Sequence, residues 1–563
     1  TSSLITFDKL GNYYVMYFTQ QPEPVNYELY LQKYDKSGNE LWEKNGIKIK
    51  GTEFDSWISF SSIKCDNENN VLIAIDDKRY EDIERTITLY KISPDGAYLW
   101  GENGITLPPE QGFLYLSPQI HLLKDYYLIS CDKAPTDDDI AGFPIYKIDK
   151  SGNIIKSIEV KRTYEDPLIE SSFPEIYPAD DENIYFTWSI LRKKEDDDST
   201  YGGWGQRTQL LQKFDKELTQ IWAEDLKIIN PNFDDRFRID HSVSFATDND
   251  GGLYWAWFAN VEFNANVFVN HIDKSNNLML NTDGKEVQTL PDDCSNLEPK
   301  VVVNLTDNSF YVFWIQEKVK QNYRGTYYCE YGVWGNKLNS DKTWEWSDNG
   351  SEIMRTECYF EPYIIKAANA VNGRIVLFYT DGSLTLEAGL VDDNEGKLLN
   401  FAGMSYDVNS RQLFSPTKLM QKSYFEITDL ANDQWVATWT DILAVKDQFG
   451  IIPNSGVYVQ NLNTDGSIGP NPSGIINKND DKSEAILLFP NPANSELTIS
   501  FDLNIEMIPL VQIFDVSGKI VKSSVNVKVV DNKIVINSSD LKSGTYFIKF
   551  KIYDYDYSTK FVK

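Results

Sequence analysis

The sequence has few of the residues on which disulfide scaffolds and histidine or zinc chemistry depend. Its 563 residues include only five cysteines and three histidines. The cysteines are too scattered for a disulfide framework, and their odd number leaves at least one outside any intramolecular bridge. A bridge from Cys294 to Cys329 or Cys358 and a set of buried free thiols, including Cys65 and Cys131, remain alternatives. Without HExxH or CxxC spacing, the sequence predicts no metal site, no cofactor and no histidine-based triad.

Long apolar runs and positive charge are also scarce. No run of 18 or more apolar residues occurs, so we expect no transmembrane helix. The chain begins at Thr1 without a basic and apolar leader, which we interpret as removal of a signal peptide. Lys and Arg number 54 against 84 Asp and Glu, and the net charge of −30 would repel a nucleic acid. Aromatic residues reach 13% while Met numbers only 6, which favours strands over helices.

What the sequence does contain is eight copies of one unit. Each copy has a strand-like segment that ends in a turn, as in Leu31 to Trp42 and Leu89 to Trp100. The turn centres lie at residues 38, 96, 152, 218, 276, 342, 396 and 466. A short oxygen-bearing side chain three residues earlier accepts backbone N–H groups, and Gly or Asn at the centre tolerates positive φ, so each turn predicts a hairpin. The oxygen-bearing residues are Asp35, Ser93, Asp149, Asp215, Asp273, Asn339, Asp393 and Asn463.

A second hairpin signal precedes every one of these turns. Gly11-Asn12, for example, leads into the aromatic run Tyr13 to Thr19. Four antiparallel strands in about 55 to 70 residues, repeated eight times, are typical of the blades of a β-propeller. A linear solenoid would not need a fixed four-strand unit, and we prefer eight blades to seven. The sequence therefore predicts an all-β chain in which residues 1–467 form an eight-bladed β-propeller of four-stranded antiparallel blades.

The composition changes after Gly466. Residues 468–483 are rich in Pro, Gly and charge without apolar periodicity, which predicts a flexible linker. Residues 484–563 lack the repeat and contain about seven short alternating segments, among them Lys519 to Lys522 and Val525 to Val529. Such a pattern predicts a small Ig-like β-sandwich.

Three motifs and a terminal segment follow one another in this last region. They are Leu488 to Ala493, Val511 to Lys519, Leu541 to Phe550 and Thr559 to Lys563. In this order they resemble the type A C-terminal sorting domain of the type IX secretion system, over residues 484–563. The matching positions are Phe489, Pro490, Asn491, Pro492, Phe514, Asp515, Gly518, Lys519, Gly544, Tyr546, Lys560, Phe561, Val562 and Lys563.

The resemblance implies a route of export. It implies a Bacteroidota-type bacterium, Sec export to the periplasm and passage through the outer-membrane translocon. It further implies capture by an outer-membrane shuttle protein and removal of the domain by a sortase, with cleavage near 470–485 and transfer of the cargo to surface lipopolysaccharide. The protein is then secreted or held at the cell surface. The alternative is that the region is another adhesive sandwich.

The propeller itself offers a candidate ligand face. The long loops and the blade connections of such a fold share one face, where ligands usually bind. Acidic and aromatic residues recur in these segments and could form a funnel for a cation or a carbohydrate. Asx turns, inter-blade packing and solvated loops are the alternative explanation. The candidate ligand-face residues are Asp55, Trp57, Asp166, Trp204, Arg207, Asp234, Asp235 and Tyr359.

The sequence favours a binding or adhesion role for the propeller over catalysis, for two reasons. Asp35 lies three residues before Gly38 and Trp42 four after it, whereas the sialidase Asp box has two and three. Carboxylates are too abundant for one pair to be chosen as acid and nucleophile, so no catalytic residue is assigned. A polysaccharide-active glycosidase or lyase is the first alternative. A structural surface-layer or gliding-associated component is the second.

Overall fold

The chain divides into two compact units, Thr1–Ile476 and Asn477–Lys563, in the computed structural model. No helix of the described residues is long and apolar enough to cross a membrane. Nearly all of the predicted linker lies outside the described residues. These are 3–22, 25–49, 61–78, 85–108, 110–135, 142–161, 169–180, 182–192, 206–227, 243–248, 250–261, 264–289, 293–321, 327–355, 363–380, 386–401, 412–413, 421–447, 450–468, 487–489, 496–500, 507–515, 519–528, 533–552 and 555–563.

The prediction of an all-β chain is confirmed. Apart from a 3-10 turn at Val371–Gly373, the regular elements of the described residues are strands. In the first unit they form eight antiparallel sheets, six of which have four strands each. Grouped by sheet, the strands are β1 Ser3–Phe7, β2 Tyr13–Pro22, β3 Val25–Tyr34, β4 Ile47–Lys48; β5 Ser61–Cys65, β6 Val71–Asp77, β7 Thr86–Ile92, β8 Ile105–Thr106; β9 Phe113–Leu122, β10 Tyr126–Pro135, β11 Gly142–Asp149, β12 Ile154–Lys161; β13 Ile169–Pro178, β14 Ile184–Arg192, β15 Gln206–Phe214, β16 Leu226–Lys227; β17 Ser244–Thr247, β18 Leu253–Val261, β19 Asn264–Ile272, β20 Lys285–Glu286; β21 Cys294–Val303, β22 Phe310–Gln321, β23 Tyr327–Leu338, β24 Ser351–Arg355; β25 Tyr363–Asn369, β26 Ile375–Thr380, β27 Leu386–Val391, β28 Leu398–Leu399, β29 Gln412–Leu413; and β30 Gln421–Ile427, β31 Gln434–Asp447, β32 Gly450–Asn463.

Within each sheet the strands pair in chain order. In the seventh sheet β29 pairs with β27 as a fifth strand, and in the eighth the described strands number three. The second strand of a sheet is buried on both faces because neighbouring sheets cover it, and such strands read as continuous apolar runs. In β18, Trp255, Ala256 and Trp257 are consecutive and fully buried. The aromatic-rich segments of the sequence are therefore these central strands.

The predicted turns have the predicted backbone geometry. The Asp35 carboxylate accepts the N–H groups of Ser37 at 2.8 Å and Asn39 at 2.9 Å. Every predicted centre has positive φ, and Leu218 and Lys342 show that the position accepts other residues as well as Gly or Asn. The centres are Gly38, Gly96, Gly152, Leu218, Asn276, Lys342, Gly396 and Gly466.

The assignment of Asp393 in the seventh turn was wrong. This turn is one residue longer, and Asp392 accepts the N–H groups of Asn394 and Glu395, both at 2.8 Å. The backbone carbonyl of Asp392 accepts the N–H of Gly396 at 3.0 Å. Asp393 itself is an acceptor for the preceding sheet, as described next.

A buried side chain five residues before the turn centre, here called the link position, joins one sheet to the next. The amine of Lys33 donates to the carbonyl of Pro94 at 3.0 Å, and that of Lys91 to the carbonyl of Lys150 at 3.3 Å. Both acceptors lie in the corresponding turn of the following sheet. Three further links have the same form, namely Lys147 to Lys216 at 2.6 Å, Lys213 to Lys274 at 3.5 Å and Lys337 to the carboxylate of Asp393 at 2.7 Å.

The link position is not lysine in every sheet. In the fifth sheet it is His271, whose Nδ1 lies 3.5 Å from the amine of Lys342 in the turn of the sixth sheet. Within its own sheet its Nε2 lies 2.8 Å from Asp248, and its ring stacks on Tyr254 with centroids 3.7 Å apart. In the eighth sheet it is Asn461, which donates to Gln434 at 2.8 Å. Gln434 in turn donates to the carbonyl of Lys36 at 3.2 Å, in the turn of the first sheet.

The eighth sheet packs against the first, and we call this interface the seam. Strand β1 contacts both β30 and β31, and the hydroxyls of Ser3 and Thr438 lie 2.9 Å apart. An apolar cluster that includes Tyr13, Val15 and Val436 fills the seam. The first strands of neighbouring sheets also contact one another, β1 with β5, β5 with β9, β21 with β25 and β25 with β30. The first strands therefore surround a common axis.

The second unit contains two antiparallel sheets. The first has strands β33 Leu487–Phe489, β34 Glu496–Ser500 and β37 Lys533–Asn537, in the order β33-β34-β37. The second has β35 Met507–Asp515, β36 Ile520–Lys528, β38 Thr545–Ile552 and β39 Tyr555–Val562, in the order β36-β35-β38-β39. The two strands predicted at Lys519 to Lys522 and Val525 to Val529 are one strand, β36.

No disulfide joins cysteines among the described residues. Cys294 and Cys329 are not bridged to each other, which excludes that alternative of the prediction. Cys65 and Cys131 are free, and Cys358 lies outside the described residues. Burial raises the pKa of the Cys294 thiol to about 11, so this thiol stays protonated at neutral pH.

Candidate functional site

Most of the predicted ligand face cannot be placed. Asp55, Trp57, Asp166, Trp204, Asp234, Asp235 and Tyr359 lie outside the described residues. Arg207 lies in β15, where its backbone pairs with Leu191 of β14. The ligand face therefore stays a prediction.

The structure instead presents a cavity at the axis of the first unit. It has a volume of about 390 Å³ and is lined by strands β1, β5, β25 and β30 and by the turns after β1, β5 and β30. We call it the axial cavity. Its lining residues are Ile5, Thr6, Phe7, Asp8, Lys9, Lys64, Cys65, Asp66, Asn67, Lys366, Glu426, Ile427, Thr428 and Asp429.

Amines and carboxyls from three different sheets face this cavity. The amine of Lys366 in β25 donates to the carbonyl of Ile427 at 2.9 Å and lies 2.7 Å from the carboxylate of Asp429. The side chain of Glu426 in β30 is exposed to the cavity, and desolvation by the surrounding protein raises the pKa of its carboxyl although Lys366 and Lys64 act to lower it. Within the described part of the chain, Lys64 of β5 has no ion pair within 4.0 Å.

Further ionisable residues occupy the first strands of the third, fourth and sixth sheets. His121 in β9 is half-buried with its Nε2 atom enclosed, and desolvation followed by the charge of Lys64 lowers the pKa of its imidazole to about 3. Its Nε2 atom has no hydrogen-bond partner among the residues described. Glu175 in β13 accepts a hydrogen bond from Tyr177, and burial raises the pKa of its carboxyl against the opposing charge of Lys300 in β21. Charge of both signs therefore lines the axis.

Register shifts between the first and second strands occur next to several of these ionisable residues. The pairing of the first with the second strand is interrupted between Leu297 and Lys300 and between Ile364 and Lys366. A β-bulge re-aims the side chains that follow it. Sequence reasoning missed these residues because it aligned the repeats on the turn between the third and fourth strands. An alignment on the turn between the first and second strands would have shown an ionisable residue shortly before it in several copies.

The axial cavity is lined by hydrogen-bond donors and acceptors of several kinds. Among the residues that the structure describes, no group of three or more His, Cys, Asp or Glu side chains could hold a metal ion. Hydroxyls of Thr6 and Thr428 and the amide of Asn67 accompany the charged groups. Such a mixture suits a polar ligand that both donates and accepts hydrogen bonds.

The second unit brings the sequence motifs together at one end of its four-stranded sheet. Asp515 of β35 pairs with Tyr546 of β38, which pairs with Phe561 of β39. Beyond them, the backbones of Gly544 and Lys563 exchange hydrogen bonds of 2.9 and 2.8 Å. Segments far apart in the sequence are therefore neighbours on three adjacent strands.

Several motif residues have structural roles at this end of the sheet. Tyr546 is buried, and its hydroxyl donates to the carbonyl of Lys542 at 2.8 Å. The carboxylate of Asp515 accepts the N–H of Lys519 at 3.1 Å and fixes the turn between β35 and β36. Phe514 is half-buried and the side chain of Lys519 is exposed. These two have no such role.

The remaining motif residues are described only in part. The backbones of Lys560 and Val562 pair with Phe547 and Thr545 in β39 and β38. Phe489 ends β33, where it pairs with Thr498. Pro490, Asn491, Pro492 and Gly518 lie outside the described residues.

Comparison with known proteins identifies the second unit. Residues 487–563 match the family described as "Secretion system C-terminal sorting domain". The resemblance found in the sequence is thereby confirmed. This domain directs type IX secretion, which carries the chain to the cell surface or exterior. No curated protein matches the chain.

Solved structures similar to the chain are distant from it. The α-L-arabinanase of Penicillium chrysogenum in complex with arabinobiose is 10% identical, with 60% of this chain and 93% of that chain covered at a TM-score of 0.29. The β-propeller domain of the trilobed protease of Pyrococcus furiosus is 10% identical, with 70% and 98% covered and a TM-score of 0.31. A mutant GH32 β-fructofuranosidase of Bombyx mori in complex with sucrose is 11% identical, with 73% and 87% covered and a TM-score of 0.30. At these TM-scores the likenesses carry no argument about chemistry.

Proposed function

We propose that residues 1–467 form an eight-bladed β-propeller, joined by a linker at residues 468–483 to an Ig-like sorting domain at residues 484–563. Eight successive sheets with strands in chain order support the blade count, and the contacts of β1 with β30 and β31 support closure of the ring. Two antiparallel sheets with buried Leu497, Ile499, Val511 and Ile513 support a sandwich in the tail.

The propeller binds a carbohydrate in the axial cavity without changing it chemically, and so serves in binding or adhesion at the cell surface. The observation that carries this proposal is the convergence of Lys64, Lys366 and Glu426 from three sheets on one cavity with Thr6 and Thr428. Sugar hydroxyls donate and accept hydrogen bonds, and charged partners make the stronger ones. If the ligand is a neighbouring surface polymer, the same binding gives the protein a structural or gliding-associated role at the cell surface.

The second candidate function is hydrolysis of a polysaccharide. Raised carboxyl pKa values at Glu426 and Glu175 favour it, because a carboxyl that keeps its proton can act as a general acid. Glycoside hydrolysis needs a second, ionised carboxylate about 5 to 10 Å away. Asp429 lines the same cavity but is paired with Lys366 at 2.7 Å. Binding needs no such pair of carboxyl groups and is therefore the better supported function.

A glycan array probed with the full chain tests the binding proposal. Calorimetry on any glycan retained should show at least a tenfold weaker affinity for the double variant Lys64→Met, Glu426→Gln. The matched control is Lys274→Met, which removes an exposed amine far from the axial cavity. Equal affinity of the double variant and the parent would contradict the axial cavity as the site. Release of product from any retained glycan would replace binding with hydrolysis.

Export by the sorting domain includes its handling by the translocon, an outer-membrane shuttle protein and a sortase that removes the domain. We expect a chain lacking residues 484–563 to stay in the periplasm of a Bacteroidota-type host, because the motif segments on β35, β38 and β39 are then gone. Fractionation with immunodetection measures this. Surface display of the truncated chain at the level of the full chain would contradict the proposal. The mass of the displayed protein locates the cleaved bond.

A further inference from the structure

The outer face of the four-stranded sheet in the sorting domain carries an apolar strip, made of Ile520, Phe514 and Phe547. Phe514 pairs with Phe547 of β38 on one side and, directly after a register shift, with Ile520 of β36 on the other. Cross-strand partners point to the same face of a sheet, so the three side chains are neighbours. Ile520 is 47% exposed and Phe547 41% exposed, while Phe514 is half-buried.

The strip departs from the alternation seen in the rest of this sheet. On the inner face Ile513 and Ile548 are buried, which leaves the outer face to solvent. The adjacent outer row follows the expected pattern, since Gln512 pairs with Ser523 and with Lys549, all of them polar. Apolar side chains that are contiguous and exposed mark interaction sites. The strip is therefore a candidate contact surface.

The strip is continuous with the sorting motifs. Phe514 and Lys519 are motif residues that the fold of the domain does not explain, because neither caps a turn with its side chain nor fills the core. Tyr546 and Asp515, at the same end of the sheet, have clear structural roles. The residues that identify the family thus include Phe514 within the strip and the exposed Lys519, which directly precedes Ile520 in the chain.

The sorting domain and the rest of the chain differ in net charge. Residues 487–563 contain nine lysines against eight Asp and Glu, whereas residues 1–486 contain 45 Lys and Arg against 76 Asp and Glu. Exposed Lys519 and Lys549 flank the strip. An acidic partner surface would attract this end of the domain and repel the remainder of the chain, which gives selectivity as well as attraction.

We propose that the apolar strip and Lys519 form the docking surface for a protein of the type IX machinery whose contacting surface is apolar with an acidic rim. The inference rests on the sorting role given above and names the surface that performs it. Burial of the strip against the partner supplies affinity, and the lysines orient it. Tyr546 and Asp515 stabilise the strands on which the strip lies.

The test measures the fraction of full-length protein that reaches the exterior of a bacterium with a type IX system. For the variant Ile520→Ser, Phe547→Ser we expect at least a tenfold lower exported fraction. The matched control is Val535→Ser in β37, because Val535 is 55% exposed on the other sheet of the same domain. The control should export within twofold of the parent. Melting curves of the purified chains establish that each variant is folded.

A charge variant tests the proposal independently of the apolar residues. Lys519→Glu leaves the core untouched and should lower the exported fraction about fivefold through repulsion by the acidic rim. If the double variant does not fold, this variant decides, and export at the parental level overturns the proposal. Parental export of a folded double variant also overturns it, while retention of the chain lacking residues 484–563 would leave the sorting role intact. Export of that truncated chain would instead contradict the sorting role itself.

Discussion

The interface between the second and third sheets and the seam use different chemistry at the same position of the repeat. At the first, the amine of Lys91 lies 3.3 Å from the buried carboxylate of Asp66 and 5.4 Å above the ring of Tyr127. At the seam, Asn461 and Gln434 make the connection with neutral amides. The repeat therefore does not need a charge at the link position in order to pack its sheets.

The two kinds of link differ in what happens when they are broken. An amine removed from a buried pair leaves a carboxylate without its counter-charge, and that costs far more than the pair itself contributes. A broken neutral hydrogen bond costs about 1 kcal/mol. Lys91 and Asp66 both belong to the second sheet, so separation from the third sheet would take from the buried Asp66 carboxylate the hydroxyl of Tyr127, which donates to it at 2.6 Å. Separation at the seam would break hydrogen bonds between neutral groups only. Three variants at the link position test this difference.

The largest effect is expected for Lys91→Met. The side chain of Asp66 is 1% exposed, and after the change its carboxylate keeps hydrogen bonds from neutral donors, namely the hydroxyl of Tyr127, the backbone and side-chain amides of Asn70 and the backbone N–H of Glu68. We expect the free energy of unfolding to fall by about 3 kcal/mol. Urea unfolding followed by tryptophan fluorescence measures it. Lys274→Met is the control, because that amine is exposed. An equal loss in both variants would show that the buried link has no special weight.

A smaller effect, visible only with pH, is expected at His271. Burial lowers the pKa of this imidazole below its ordinary value, although the hydrogen bond to Asp248 opposes the shift. The unfolded chain therefore takes up a proton first as the pH falls through about 6.5. Stability contributed by neutral His271 is present above that pH and is lost below it.

The variant His271→Gln should flatten this dependence. We expect the difference in unfolding free energy between pH 7.5 and pH 5.5 to be smaller in the variant than in the parent. Lys91→Met serves as the reference, because it lowers stability without altering His271. Parallel pH profiles for parent and His271→Gln would contradict the assignment.

The smallest effect on the free energy of unfolding is expected when a lysine is placed at the link position of the seam. A cavity of about 40 Å³ at the seam is lined by Tyr13, Tyr34, Gln434 and Asn461. An amine in Asn461→Lys would reach the carbonyl of Lys36 and the tyrosine rings, which would raise the free energy of unfolding by about 0.5–1 kcal/mol. Asn461→Met, which has an uncharged stem, is the control. A gain of equal size in both variants would assign the effect to cavity filling.

The local features of the fold could be predicted from the sequence, and the reason is physical. A turn depends on four or five consecutive residues, so Asp35 and Gly38 suffice to define it. Leu218 and Lys342 were placed at centres by spacing alone, and both have positive φ. Asp393 was misassigned because one extra residue shifts the turn and is invisible in a spacing count.

The axial residues could not be predicted, because they meet only when separate sheets are assembled. Lys64 and Glu426 are more than 360 residues apart, and neither belongs to the segment that defines the repeat. The sorting domain was recognised because its motifs are short and local. Its strands were less well predicted, since Lys519 to Val529 reads as two short segments and forms the single strand β36.

The seam also sets the order in which the first unit assembles. Its hydrogen bonds join residues as far apart as Ser3 and Thr438, a separation of 435 positions. Each hairpin closes a short loop and forms early, whereas a contact of this span waits until the intervening chain is compact. The entropy of closing a loop grows only with the logarithm of its length, so the delay is kinetic more than thermodynamic. An emerging chain therefore exposes the aromatic faces of its first sheet until the last one arrives, and neutral amides allow the two to find register without a buried charge to desolvate.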